Sequence, residues 1–249
     1  MNSQRPGIGW LVMPTLVAIC ILASAVMVFW YAPSYFNKGT GDEMGFSGKI
    51  FYFHVGSAFS WYVAVFICAA GSIAYLLMRN RPGWGGLANA SDRLARSAGE
   101  VAVVLGALIL VTGPIWAKPN WGAYWTGEPR LMLALFLEFV LIGYVFLRAY
   151  AGTDDLGKRL GAGVAIIGLP ASYFIHMAVS FFGGNHPSVI GNEGGGWKGA
   201  SIWGTAAVTW TSMLLLACLL IAMRYRHHRA KDNVDELFLE LTELEDARR

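Results

Sequence analysis

Six long apolar runs limit what this 249-residue chain can fold into more than any other feature. A helix needs roughly 17 to 25 mostly apolar residues to cross the hydrocarbon core of a bilayer, and each run is near or above that length. Only 14% of all residues are charged, whereas 55% are hydrophobic. We therefore predict an all-α polytopic membrane protein with six transmembrane helices. The predicted spans are Trp10–Ala32, Ile50–Met78, Val101–Ala117, Leu131–Leu147, Leu160–Phe182 and Ser201–Met223.

The distribution of Lys and Arg predicts the orientation, because cytoplasmic loops retain these residues. Fourteen of the 19 fall on the side that carries both termini. The other side has five, which are Lys38, Lys49, Lys118, Arg130 and Lys198. We expect cytoplasmic N and C termini, a periplasmic aromatic loop between helices 3 and 4, and a location in a bacterial inner membrane. The net charge of +3 follows from this topology and gives no reason to expect a nucleic-acid partner.

The chain divides by composition into a membrane domain, residues 1–223, and a charged tail, residues 224–249. The first apolar run is longer than the core of a typical signal peptide and lacks an obvious cleavage site, so we expect it to be retained. The tail is predicted to be an amphipathic helix that docks on a cytoplasmic partner. Its apolar positions recur at helical spacing: Val234, Leu237, Phe238, Leu241 and Leu244.

An aromatic stretch, residues 119–130, joins the third and fourth runs. Trp121, Tyr124 and Trp125 stand at i, i+3 and i+4, which on a helical turn would place them on one face. Such a face could stack on a flat ligand. It is equally typical of the belt of Trp and Tyr at a membrane interface.

Two histidines are predicted to lie at the same outer level as this stretch. His54 opens the second run, and His186 follows the fifth. Either imidazole could simply bond to a neighbouring helix, and Arg130 could pair with Glu128 in its own loop. Together with the aromatic stretch, however, these residues match the needs of haem, because imidazoles bind iron axially, aromatic rings stack on the macrocycle and cations pair with propionates. A zinc site would need further ligands nearby.

Two other polar residues lie inside predicted spans and leave different functions open. Glu138 and His176 are placed near mid-membrane, where ionisable groups mark transport pathways or bond to neighbouring helices. A proton-coupled transporter would use both residues, although the sequence shows no clear internal repeat. A structural subunit of a membrane complex would use neither the histidines nor the aromatics for ligand binding.

Three segments resemble the tryptophan-rich haem-handling proteins of cytochrome c assembly, and within them the heme exporter protein C family of the cytochrome c maturation (Ccm) system. They are Trp121-Gly-Ala-Tyr-Trp125-Thr-Gly-Glu128-Pro-Arg130-Leu131, Tyr52-Phe-His54-Val-Gly-Ser-Ala58 and Val179-Ser-Phe181-Phe182-Gly-Gly-Asn-His186. The resemblance covers roughly residues 10–223. It departs from the family at Gly127, where a tryptophan is usual, and at Phe181 and Phe182, which replace a tryptophan pair.

The resemblance implies haem handling without bond-making catalysis. Haem b would be held non-covalently between His54 and His186, stacked against Trp121 and Trp125, with Arg130 contacting a propionate and Tyr124 and Glu128 completing the site. It would pass to a periplasmic haem chaperone that docks on the aromatic loop, and ABC-type transporter subunits would be partners in the membrane. The alternative within the superfamily is a haem-channel cytochrome c synthase, which normally has more spans and additional outer histidines.

Overall fold

A computed structural model describes residues 9–32, 45–151, 154–184, 186 and 200–248. The helices are α1 (Gly9–Val26, extended by a π-helical segment, Met27–Tyr31), α2 (Gly45–Met78), α3 (Gly85–Trp121), α4 (Pro129–Tyr150), α5 (Asp155–Phe182) and α6 (Ala200–Asp246). All six are long and apolar enough to cross a membrane, and the described residues contain no strand. The predicted all-α fold with six membrane-spanning helices is confirmed.

Helix α2 lies at the centre of the bundle and contacts α3, α5 and α6. The core around it combines Trp61 and Leu105 with small residues such as Ala64 and Ala102. Small residues let membrane helices approach closely. At Gly71 the approach is tight, since a Cβ there would lie 2.9 Å from the carbonyl oxygen of Ser91 on α3.

The largest difference from the predicted spans is the length of α3. The predicted second and third spans end at Met78 and begin at Val101, but only residues 79–84 connect α2 to α3. Gly83, at φ 79°, makes the turn, and the Ala- and Arg-rich segment that follows favours helix. Part of this segment is buried, because Asp92 pairs with Arg148 on α4. A contact between residues distant in sequence thus packs the first turns of α3 against α4.

Helix α6 runs without a break through the boundary at residues 223 and 224. At 1.5 Å per residue its 47 residues extend about 70 Å, more than twice the hydrocarbon thickness of a bilayer. Ion pairs attach the middle of α6 to α3, from Glu100 to Arg224 and from Arg93 to Asp232, and the Nε2 of His228 lies 3.0 Å from the Oε1 of Glu100. Beyond these pairs the apolar side chains of the tail, including Phe238 and Leu241, are exposed.

Candidate functional site

A cleft at one end of the bundle has about 830 Å³ of empty space, including the part open to solvent. Its walls come from α2, α3, α4, α5 and the connection between α3 and α4. Six of the seven residues predicted to bind a cofactor line it, and these are His54, Trp121, Tyr124, Trp125, Arg130 and His186.

His54 enters the cleft from α2 and is held by α3. Its Nδ1 lies 2.9 Å from the Oγ1 of Thr112. The ring lies against Gly113, where a Cβ would come within 3.2 Å of its Cε1. The interhelical hydrogen bond that the sequence left open as an alternative therefore exists, and the same side chain still lines the cleft.

His186 lies beside a pair of tryptophans near the end of α3. The indoles of Trp116 and Trp121 meet edge to face, with ring centroids 5.4 Å apart. The imidazole of His186 is 6.4 Å from Trp116 and 6.0 Å from Trp121, measured between ring centroids. The pair therefore places a second imidazole in the cleft that holds His54, although the two histidines are far apart in the chain.

The three aromatics do not share one helical turn, an arrangement that the sequence left open, and the predicted loop between the third and fourth spans is present. Helix α3 ends at Trp121, Gly122 takes a left-handed φ of 75°, and α4 begins only at Pro129. Tyr124 and Trp125 lie in the connection, where their side chains are 60% and 37% exposed, yet both line the cleft. Gly127 also has a positive φ, 70°, which a tryptophan rarely adopts. The main-chain conformation thus suits the glycine that replaces the family's usual tryptophan.

Arg130 is the one predicted outer cation among the described residues that lines the cleft. None of the salt bridges among the described residues involves it. Lys49 instead donates to the carbonyl oxygens of Val28 and Phe29, at 2.9 and 3.0 Å, and so closes the end of the first helix. Lys118 lies 5.4 Å from the ring centroid of Tyr124 and steadies the aromatic connection. Lys198 is outside the described residues.

Glu128, the seventh predicted binding residue, does not line the cleft. It is the N-cap of α4, it is buried, and a Cβ on Gly184 would lie 2.9 Å from its Oε2. Direct contact between Glu128 and a ligand stays a prediction. The carboxyl group of Glu128 lies beside Gly184, in the segment that leads from α5 to His186.

The structure separates Glu138 from His176. The carboxyl group of Glu138 is buried between Gly106 and Trp61, and neither oxygen forms a hydrogen bond with a described residue. His176 is exposed on the surface of α5 and likewise has no hydrogen bond within the described part of the chain. The interhelical bond expected for His176 is absent there, and the two residues do not form the paired site that a proton-coupled transporter would need.

The lining also includes residues that were not assigned to the site from the sequence, among them the aromatics Tyr62 and Trp116. The signal for Tyr62 was present, because His54, Ala58 and Tyr62 follow one another at four-residue intervals and share a face of α2. For Trp116 the sequence gave only its closeness to the aromatic stretch. Whether that indole faced the site or the lipid depended on the packing of α3.

The fold and the cleft define a class: a six-helix membrane protein with an aromatic cleft, flanked by two histidines, that suits a flat ligand. Within this class the chain belongs to the heme exporter protein C family, whose sequence model matches residues 5–238. The resemblance found in the three motif segments is thereby confirmed.

Similar proteins carry the same family description. The chain is 25% identical over 156 residues to heme exporter protein C of Rhodobacter capsulatus, covering 63% of this chain and 60% of the relative. It is 26% identical over 140 residues to that of Paracoccus denitrificans, covering 56% of this chain and 55% of the relative. It is 26% identical over 185 residues to that of Escherichia coli K12, covering 72% of this chain and 66% of the relative. The matched region thus spans little more than half to two thirds of these relatives.

Proposed function

We propose that this protein binds haem b non-covalently in the cleft and presents it, at the periplasmic face of the inner membrane, to a haem chaperone for cytochrome c maturation. One observation carries the proposal. His54 and His186 come from distant parts of the chain and line one cleft together with the aromatic residues and Arg130. Family membership supports haem as the ligand, since the related proteins are heme exporters by name.

Each part of the cleft has a role in this proposal. The two imidazoles supply axial ligands, and ligation by both leaves no open coordination position on the iron. Trp121 and Trp125 offer faces for the macrocycle. The guanidinium group of Arg130 suits a propionate, because its planar fork can donate two hydrogen bonds to one carboxylate.

The orientation of the protein is part of the proposal and is supported by charge. A cluster of basic residues lies near the start of α3 and the end of α4, at the end of the bundle away from the cleft; its members are Arg93, Arg96, Arg148 and Lys158. Cytoplasmic ends of membrane helices are enriched in such residues. We therefore propose that the cleft faces the periplasm and that the long arm of α6 lies in the cytoplasm.

The partners follow from the surfaces next to the cleft. Tyr124 and Trp125 are partly exposed at its mouth, where a periplasmic haem chaperone can contact both the aromatic connection and the haem. The remaining partners proposed are the ABC-type transporter subunits of the cytochrome c maturation system. No bond-making reaction is required of this chain, so its proposed role is that of a carrier and not an enzyme.

Absorption spectra of purified protein test haem binding directly. We expect the wild-type protein to carry haem with a low-spin spectrum, and His54→Ala and His186→Ala each to lose haem or shift the Soret band. His176→Ala is the matched control, because its histidine is exposed outside the cleft. A colourless wild-type protein, or unchanged spectra in both cleft variants, would contradict the proposal.

A further inference from the structure

We infer that Thr112 is a positioning residue that holds the neutral imidazole of His54 in the tautomer with its proton on Nδ1. Nε2 is then left with a lone pair for iron. The inference deepens the proposed function and rests on it for the identity of the metal. For a neutral ring, the tautomer follows from the hydrogen bonds of the protein alone.

The single proton of the Thr112 hydroxyl group decides which nitrogen of His54 carries a hydrogen. The Oγ1 of Thr112 lies 2.8 Å from the carbonyl oxygen of Leu108 and 2.9 Å from the Nδ1 of His54. A hydroxyl group has one proton, and a carbonyl oxygen has none. The contact with Leu108 is therefore a hydrogen bond only if Thr112 donates its proton there.

The opposite assignment is unfavourable. If Thr112 donated to the imidazole, its oxygen would face the carbonyl oxygen of Leu108 at 2.8 Å with only lone pairs between them. With the proton on the Leu108 side, Thr112 accepts from His54, so Nδ1 carries a hydrogen. A neutral imidazole has a single N–H, and its other nitrogen is then an acceptor.

The contacts around the ring fix this arrangement before any ligand binds. Leu108 and Thr112 are one turn apart on α3, so the backbone of that helix sets the direction of the hydroxyl group. Gly113 lets the imidazole lie directly against α3, since a Cβ at that position would approach its Cε1 to 3.2 Å. Nε2 makes no hydrogen bond to any described residue and remains available to a ligand.

Metal-binding histidines generally donate their second N–H to a protein acceptor, which fixes the tautomer and raises the basicity of the ligating nitrogen. Loss of such an acceptor typically costs about 10-fold to 100-fold in metal affinity. Thr112→Val removes the acceptor and nearly preserves the shape of the side chain. Thr112→Ser retains the oxygen and should retain the effect.

Nitrogen NMR of the haem-free protein tests the tautomer without depending on haem. In wild-type protein with ¹⁵N-labelled histidine, His54 should show a protonated Nδ1 and an unprotonated Nε2, with its signals assigned by comparison with His54→Ala. We expect Thr112→Ser to preserve this pattern and Thr112→Val to give a mixture of tautomers. A wild-type ring protonated on Nε2, or a Thr112→Val spectrum identical to wild type, would overturn the inference.

Haem titration then tests the consequence for binding. Thr112→Val should weaken haem binding about 10-fold or more and alter the reduction potential, whereas Thr112→Ser should stay near wild type. Thr205→Val is the control, because Thr205 makes the same kind of bond to its own helix, to the carbonyl oxygen of Ser201, and does not line the cleft. Equal affinity in Thr112→Val and Thr205→Val refutes the positioning role. If wild-type protein binds no haem, the proposed function fails while the NMR result on the tautomer still stands.

Discussion

The cleft with His54 and His186 can be compared with a second cavity near the other end of α3. The cleft is mainly apolar and aromatic. The second cavity, named the inner cavity, is lined mainly by charged and amide side chains from α3, α4, α5 and α6. The two ends of one bundle therefore carry two kinds of chemistry.

The charges of the inner cavity are largely matched within the chain. Arg148, which is 2% exposed, donates to Asp92 at 2.7 Å and so ties α4 to α3. Lys158 donates to Asn89 at 2.9 Å and ties α5 to the same helix. In the cleft, by contrast, Arg130 has no salt bridge to a described residue. The comparison indicates that the inner charges hold helices together, whereas the outer charge is available to a ligand.

The largest effect on stability is expected from breaking the ion pair between Arg148 and Asp92 in the inner cavity. Arg148→Met leaves Asp92 buried and unpaired, which should lower the free energy of unfolding by about 3–5 kcal/mol. Thermal or denaturant unfolding in detergent measures this loss, and haem bound per folded molecule should not change. The double variant Arg148→Met with Asp92→Leu should recover most of the stability. A stable single variant would show that the inner charges do not hold the helices.

The outer cation should behave in the opposite way. Arg130→Gln removes hydrogen bonds to a charged group, so haem affinity should fall by about 1.5–3 kcal/mol in binding free energy while unfolding stays near wild type. Arg130→Lys retains the charge but not the planar fork and should show an intermediate affinity. Haem titration beside thermal unfolding separates the two effects. A large loss of stability with unchanged haem affinity would mean that Arg130 holds the helices together, as Arg148 does, and does not bind the ligand.

The contact between α3 and α4 at Gly106 should be sensitive to the addition of a single methyl group. A Cβ at Gly106 would overlap the carboxyl group of Glu138, so Gly106→Ala should lower the free energy of unfolding by about 1–3 kcal/mol. Unfolding of the double variant with Glu138→Ala provides the check, because it vacates the space that the methyl group needs. If the double variant is no more stable than Gly106→Ala, the packing at this point differs from that described.

The smallest effect is expected where the inner charges reach solvent. The pair between Arg93 and Asp232 is 3.0 Å long, and its side chains are 20% and 32% exposed. Asp232→Asn should therefore lower the free energy of unfolding by only about 0.2–1 kcal/mol, and less at high salt. Unfolding at two salt concentrations tests this. A loss as large as that from Arg148→Met would mean that the contribution of these ion pairs to stability does not depend on their exposure to solvent.

The sequence by itself determined the six helices, because the length of an apolar run is a local property that the thickness of a bilayer directly constrains. It also identified six residues of the cleft, since the motif segments place aromatic and imidazole groups near helix ends on the same side of the membrane. His54, Ala58 and Tyr62 even share one face by their spacing alone. Local periodicity was sufficient for these conclusions.

The tertiary structure alone decided which of these groups face one another. Lys49 closes the first helix and Glu128 lies beside Gly184, and in both contacts the two partners are distant in the chain. The start of α3 at Gly85 was likewise seen only in the structure. The same holds for the bond between His54 and Thr112, which joins two helices. Residue type and spacing specify what a side chain can do, but its partner is set by how the helices pack, and packing is a property of the whole bundle.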